Sequence, residues 1–338
     1  MMEFRAACIQ AVRSFFIENK YLEVDTPALA EALIPESCLE VFSTEYISPF
    51  DVEKSGDKKS STFFLVPSPE VFIKPIIAQT HRSVFQVSKC YRNAESKGNI
   101  HNPEFTMLEY YTVNADYKHS IKITENLFSF IVQKVKDYPV FSSEALNLFE
   151  KKIACMTMDE AFIKYAGFSL AQNHSSAELA IQTEKLGLGE AGKYLTWAND
   201  DLYELILVHA IEPALPKNEI TALLDYPAFV PCLAKENCTS VLKDGKMKLW
   251  NTVERWEIYA NGVELANCYT EAGEQDKINK YFESEDKIKK ETALVPHKSV
   301  KNFGEICSRM PPCSGTAMGL DRLIMLLAGR STLESVIF

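Results

Sequence analysis

Three separated segments set ionisable and amide side chains inside otherwise apolar runs, where burial costs free energy unless a ligand or a hydrogen-bond network satisfies them. The first is Tyr91-Arg92-Asn93, followed across the polar loop Ala94 to Ile100 by His101-Asn102-Pro103-Glu104-Phe105-Thr106-Met107-Leu108-Glu109-Tyr110-Tyr111. An arginine on one strand, facing a phenylalanine and a carboxylate on the next, can bind a phosphate and stack a planar base. An arginine–glutamate pair across two strands is also a common structural device, so this segment decides nothing alone.

The second segment runs from Glu264 to Glu271. Strand alternation puts Glu264, Ala266, Cys268 and Thr270 on one face and Leu265, Asn267, Tyr269 and Glu271 on the other. Acids on both faces of a half-buried strand call for a bulge or twist that re-aims one of them. Hard oxygen ligands of this kind suit magnesium beside a nucleotide phosphate. The third segment is Gly315-Thr316-Ala317-Met318-Gly319-Leu320-Asp321-Arg322. Its small residues admit a ligand to the backbone, and Arg322 sits at a helix start, near the positive dipole end.

Taken in order, Pro27, Arg92 with His101 to Thr106, the Gly262 to Asn267 string and the Gly315 to Arg322 string resemble the signature segments of class II aminoacyl-tRNA synthetases. The full string from His101 to Tyr111 resembles the lysine branch in particular, and the likeness covers nearly the whole chain. Lysyl-tRNA synthetases carry an anticodon-binding OB domain ahead of the catalytic unit, whereas this sequence opens on the helix preceding Pro27. A catalytic core of that kind is similar to the elongation factor P lysyltransferase family. Its members activate a lysine, typically (R)-β-lysine, and pass it to a lysine side chain of elongation factor P. Ala317 points the same way, standing where tRNA-charging lysyl enzymes have the second glycine of G-x-G-x-D-R. Its methyl group narrows the pocket and fits an altered substrate shape.

The resemblance implies a role for each residue. Arg92 bridges the substrate carboxylate and the α-phosphate of ATP, Arg322 faces the γ-phosphate end, and Phe105 stacks on adenine. Asn93, Glu95, His101, Asn102, Leu265 and Gly319 complete the nucleotide site, with Glu264 and Glu271 near Mg2+ and substrate. Ser68-Pro69-Glu70 resembles the substrate loop, Glu70 taking an amino group and Asn267 the carboxylate. Glu109, Tyr111 and Glu271 form an end pocket for the distant ammonium, with Ala317 among the substrate contacts. A buried ammonium without an anionic partner is heavily penalised. The attacking group is the substrate carboxylate in the first step and an amine in the second. No side-chain nucleophile or base is therefore expected, and His101 is read as a structural or phosphate-side residue.

The chain also departs from the family. It has Arg92-Asn93-Ala94-Glu95 where Arg-Asn-Glu is usual, and its loop to His101 is one residue longer. Asn99 and Ile100 replace an arginine before the His-Asn pair, so triphosphate contacts are expected either to be weaker or to come from Lys97, and Cys268 replaces a glycine and is expected to crowd the pocket. The alternatives on the same fold are an asparagine-forming ligase, a minimal lysyl-tRNA synthetase and an inactive regulatory paralogue. The Glu70, Glu109 and Glu271 set favours a cationic substrate over aspartate.

These residues need elements to hold them. Phe4, Cys8, Val12, Phe15 and Phe16 have helical spacing over residues 3–19, and alternation with Pro27 suggests a short strand from Tyr21 to Thr26. Strands are expected at 63–66, 84–87 and 101–113, with helices at 69–79 and 121–135. Residues 51–62 read as an exposed loop, and 140–245 as mixed, mostly helical and without chemistry. Asn261-Gly262 marks a hairpin between strands at 254–259 and 263–269. The charges of 274–291, including Lys287, Lys289 and Lys290, read as a solvated helix face, and an apolar helix spans 321–328. Strands and helices without a βαβ rhythm argue an α+β fold built on an antiparallel sheet flanked by helices.

The bulk properties exclude other classes. With 46% hydrophobic and 24% charged residues, the chain is globular material for one large domain or two small ones, and the resemblance implies a single catalytic domain over 1–338 with no anticodon-binding OB domain. Nine scattered cysteines form no C-x-x-C pair and fit reduced thiols in a cytosolic core. A net charge of −10 weighs against a dedicated nucleic-acid binder, so tRNA is not expected as a partner. The charged start and the absence of a run of roughly 18 apolar residues predict a soluble cytoplasmic protein with no membrane partner. The segment ending at Pro27 resembles the family's subunit interface and implies a homodimer.

Overall fold

The computed structural model describes residues 1–52, 58–95, 97–243 and 245–337. The strands are β1 (Leu22–Glu23), β2 (Leu29–Ala30), β3 (Ser43–Val52), β4 (Lys58–Leu65), β5 (Val84–Tyr91) and β6 (Glu104–Val113). They continue with β7 (Ala154–Thr157), β8 (Ile220–Pro227), β9 (Glu236–Lys243), β10 (Lys246–Ala260), β11 (Val263–Thr270) and β12 (Cys313–Gly319). The large sheet runs β1-β5-β6-β12-β11-β10-β8-β7, with β9 paired to β10, and a small sheet runs β2-β4-β3. Only the β1–β5 and β7–β8 pairings are parallel. The expected antiparallel architecture is therefore present, with helices against the sheet.

One face of the large sheet is sealed by α1 (Met2–Glu18) and α3 (Tyr117–Val135). The apolar stripe of α1 puts Phe4, Cys8, Val12, Phe15 and Phe16 into the core, and the Phe16 ring stacks on Phe85 of β5 at 4.9 Å. Burying one such side chain stabilises by about 1.5–3 kcal/mol. Asp116 caps α3 by accepting from the His119 amide at 2.7 Å. Trp256 of β10 ties that helix to the sheet through an indole bond to the Tyr117 carbonyl at 2.6 Å.

The opposite face stays open along β5, β6, β12, β11 and β10, and there the polar segments converge. The β10–β11 hairpin turns on Asn261 and Gly262, both at positive φ (50° and 75°), the conformation a tight two-residue connection requires. Ile258 pairs with Ala266 but Tyr259 pairs with Glu264, so Leu265 is an extra residue on β11. This bulge is the re-aiming device that acids on both faces demanded. Beyond it Ala266, Cys268 and Thr270 are buried in the core, while Glu264, Asn267 and Tyr269 line one cavity.

Two expectations about elements need correcting. Most of 51–62 is strand: β3 and β4 pair as far as Val52 and Lys58, and only 53–57 lie outside the described residues. The middle of the chain is mixed and mostly helical as expected, and its strands β7, β8 and β9 include the apolar run Ile220 to Leu224, which extends the sheet beyond β10. The helix Gln275–Thr292 buries Ile278, Phe282, Glu285 and Lys289, so only part of its charge is solvated. Among the described residues no helix is long and apolar enough to cross a membrane.

Candidate active site

A cavity of about 790 Å³ lies over the open sheet face, and a smaller one of about 90 Å³ adjoins it. Glu36, Leu39, Glu70, Arg92, Met107, Asn267, Tyr269 and Ala317 line both, and so mark the junction. Adjacent strands place them there: Ala317 of β12 lies between Asn267 of β11 and Glu109 of β6 in the ladder.

At one side of the large cavity the Arg92 guanidinium stands 5.3 Å from the Phe105 ring. Its Nε is buried without a hydrogen-bond partner among the described residues, and its only ion pair is a 3.6 Å approach to Glu95. An unpartnered guanidinium nitrogen beside an aromatic face fits an anionic group attached to a planar ring. Arg322 is tied down, donating to the Ile100 carbonyl at 3.1 Å and the Glu264 carbonyl at 2.8 Å, with the Glu264 carboxylate at 3.3 Å. Asp321 beside it supports the strand below, accepting from the Thr106 amide and pairing with Arg5, both at 2.6 Å. His101, Asn102, Leu265 and Gly319 also line this cavity. Burial, then the charge of Arg322, pushes the His101 imidazole below its usual range.

Glu264 and Glu271 do not meet. Glu264 stands near the hairpin end of β11 and Glu271 just past its other end, seven residues on, and at about 3.3 Å per step they cannot share one ion. The acid beside Glu264 is Glu257, on the cavity face of β10. Desolvation, then the like charge of Glu257, pushes Glu264 above the usual carboxylate range. Arg255 neutralises Glu257 at 2.6 Å, reaches Asn267 at 3.2 Å and lies 4.5 Å from the Tyr226 ring. The Tyr259 hydroxyl is 2.7 Å from Glu257 and 2.9 Å from Glu212. A hydroxyl gives one proton, so both bonds form together only when one carboxyl is protonated. Burial pushes Glu212 up to about 7, which supplies that proton near neutrality. No ready cluster of three metal ligands exists among the described residues. Two hard carboxylates suit a divalent cation that brings its other oxygens with a triphosphate.

The small cavity is an acidic end pocket lined by Ser68, Glu70, Glu109, Tyr111 and Glu271. Ser68 and Tyr111 each donate to Glu109 at 2.7 Å, yet burial, then the charge of Glu70, pushes Glu109 up to about 8. Burial pushes Glu271 to about 7 against the pull of Lys74. Lys74, one turn after Glu70 in α2 (Glu70–Thr80), is buried and ion-paired to both Glu70 and Glu271. A Cβ at Gly315 would run into the Glu271 carboxylate and the Tyr111 ring, so glycine there gives the pocket its depth.

Three further expectations fail on geometry. Asn93 lines neither cavity; its amide donates to the Val41 carbonyl at 3.3 Å and its oxygen accepts from the Ala94 amide. Pro69 also lies outside both, opening α2, where its carbonyl takes the first helical amides. Cys268 does not crowd the pocket: alternation turns it into the core behind the sheet. The sequence also hid contributors. Glu36, Glu204, Glu212, Tyr226, Arg255, Glu257 and Tyr269 line the large cavity, three of them from the stretch read as lacking chemistry. Alternation with Tyr259 was the available signal for Arg255 and Glu257.

Residues 1–338 match the family described as tRNA synthetases class II (D, K and N). Among curated proteins, the elongation factor P--(R)-beta-lysine ligase of Vibrio campbellii is 30% identical over 333 residues, spanning 98% of this chain and 93% of that protein. The protein of the same name from Pectobacterium atrosepticum is 30% identical over 337 residues, spanning 98% and 92%.

Proposed function

The chain belongs to the class II tRNA synthetases of the D, K and N group, and from that premise we propose that it activates a lysine-type amino acid with ATP and transfers it to elongation factor P. The observation that carries this reading is the acidic end pocket. Glu70, Glu109 and Glu271 close a small cavity whose mouth holds Arg92 and Asn267, so one extended molecule reaches an arginine with its carboxylate and the acids with its far ammonium. An aspartate-binding site would need a cation facing the guest, but Lys74 does not line either cavity and is consumed by Glu70 and Glu271. The relatives' name specifies (R)-β-lysine, and Ala317 at the cavity junction supports a guest shaped differently from α-lysine.

In this reading Arg92 holds the substrate carboxylate against the α-phosphate, Phe105 stacks the adenine, and Arg322 faces the terminal phosphates. Glu264 and Glu257 would hold magnesium, which would supply positive charge where negative charge develops on the leaving pyrophosphate. The acceptor amine then attacks the mixed anhydride and AMP departs. Residues 1–338 act as the catalytic unit, in the cytoplasm and as a homodimer, which light scattering at micromolar concentration tests.

Intact-mass measurement of elongation factor P after incubation with the enzyme, ATP and either lysine isomer is the direct test, with tRNA charging run in parallel. One lysyl increment on the protein without charged tRNA is expected. Charged tRNA alone means a minimal synthetase, and neither product rejects the activity.

A further inference from the structure

We propose that Glu36 binds the amino group nearest the substrate's reacting carboxylate and sets the preference for a diamino acid over a monoamine of the same length. This inference rests on the activation reading above and adds a residue to it.

Glu36 lines both cavities at their junction, together with Arg92, Asn267 and Glu70. Its carboxylate makes no hydrogen bond or ion pair among the described residues, although it faces Glu70 and lies within the fields of Arg92, Lys289 and Lys74. The other acids of the site are already engaged. Glu70 and Glu271 share Lys74, and Glu109 accepts from Ser68 and Tyr111. Glu70 repels Glu36, and Lys74 is ion-paired to Glu70 and Glu271 rather than to Glu36, which leaves a place for an incoming ammonium. Glu271 Oε1, buried and without a hydrogen-bond partner, marks the far end of the same small cavity as another place for positive charge.

The position of Glu36 is built rather than incidental. Lys289 reaches out of the helix Gln275–Thr292 to donate to the carbonyls of Glu36 and Leu39 at 2.7 and 2.6 Å. Glu285 of the same helix accepts the Ser37 amide at 2.6 Å, and Glu40 accepts the amides of Leu294 and Val295. The backbone of Glu36, Ser37 and Leu39 and the side chain of Glu40 are thus held in place while the Glu36 side chain is left free for a guest. Burial, then the charge of Glu70, pushes Glu36 up to about 7, as expected of a carboxylate awaiting a cation.

The chemistry of the substrate supplies the match. A lysine-type molecule extended from Arg92 to the end pocket carries its second amino group one or two carbons from the carboxylate, which is at the junction. A molecule with the carboxylate and the far ammonium only, 6-aminohexanoate, brings no charge to Glu36 or to the side of Glu70 that faces it.

ATP–pyrophosphate exchange tests this with (R)-β-lysine and α-lysine as substrates and 6-aminohexanoate as substrate or competitive inhibitor, in wild type, Glu36→Gln and Glu36→Asp. Losing one charged hydrogen-bond partner is expected to raise KM for the preferred diamine roughly ten- to hundredfold in Glu36→Gln. The 6-aminohexanoate constant should stay within about twofold, and Glu36→Asp should recover part of the diamine affinity. Equal weakening of all three compounds in both variants, or no change in any, overturns the inference while leaving activation intact. A wild-type enzyme that exchanges with neither diamine overturns both. If Glu36→Gln does not fold, Glu36→Asp alone decides, because a shorter arm should weaken the diamine more than the monoamine.

Discussion

Lys74 Nζ lies 2.7 Å from Glu271 Oε2, with side chains only 2% and 4% exposed, and the same ammonium is paired to Glu70 one helical turn before it. The acidic pocket thus has a cation buried behind its wall, which partly offsets the cost of packing Glu70 and Glu271 together in the folded chain.

Removing that cation should show its structural share. Lys74→Met leaves buried acids unpaired and is expected to cost about 3–5 kcal/mol. Lys74→Met combined with Glu271→Gln should recover part of the loss, because the orphaned charge goes too. Urea titration of the single and double variants checks this, and a double variant as unstable as the single one contradicts it.

The same acids predict how stability depends on pH. Glu109 and Glu271 are raised, to about 8 and about 7, so the folded state holds protons that the unfolded chain has released. Their contribution is full below the ordinary carboxylate range near 4.5 and is lost as pH rises through 7 to 8. The thermal midpoint of the substrate-free enzyme should therefore fall over that interval, and Glu109→Gln should flatten the fall.

Substrate binding reverses that logic. An ammonium entering the end pocket favours ionised acids, so protons must be released at neutral pH. Calorimetry of lysine binding in buffers of different ionisation enthalpy should give a negative proton uptake, and no buffer dependence would count against the pocket's occupant being a cation.

Depth is the property tested at Gly315. An added Cβ collides with the Glu271 carboxylate and the Tyr111 ring, so Gly315→Ala should raise KM for the amino acid at least tenfold while ATP affinity changes little. Exchange kinetics with each substrate varied in turn separate the two constants.

Arg92 should be intolerant even of lysine. A point charge cannot bridge two anions and stack on Phe105 as a planar guanidinium does, so Arg92→Lys is expected to lower exchange by about 10²–10³ with an unchanged circular dichroism spectrum. A loss below tenfold would place the carboxylate elsewhere.

Much of the fold could be read in advance because its signals are local. The stripe from Phe4 to Phe16, the Asn261-Gly262 turn and the runs at β5, β6 and β11 depend on neighbours in sequence. The site was legible where residues lay in strings of chemistry, as with Arg92, Phe105, Glu109 and Arg322. It was obscure where pairing across elements decides the outcome. Glu257 looks like one more acid in a strand until the hairpin sets it beside Glu264, and Glu36 looks like a loop residue until Lys289 and Glu285 clamp it from a helix some 250 positions away. Asn93 and Cys268 failed for the converse reason: their strings were right, but a backbone hydrogen bond turned one away and strand alternation the other.

The extra residue at Leu265 makes β11 a ruler with two scales out of phase. Toward the hairpin its acid lines the large cavity, and beyond the bulge its amide and tyrosine line the junction of the two cavities. Deleting Leu265 would leave Tyr259 opposite Glu264 and Ile258 opposite Ala266 in even alternation, whereas deleting a residue beyond the bulge would keep the ladder on the hairpin side and swap inward and outward on the other. That part of the strand therefore tolerates substitution far better than a change of length, and sequences descended from it should conserve the spacing between Asn267 and Glu271 even where the residues between them drift.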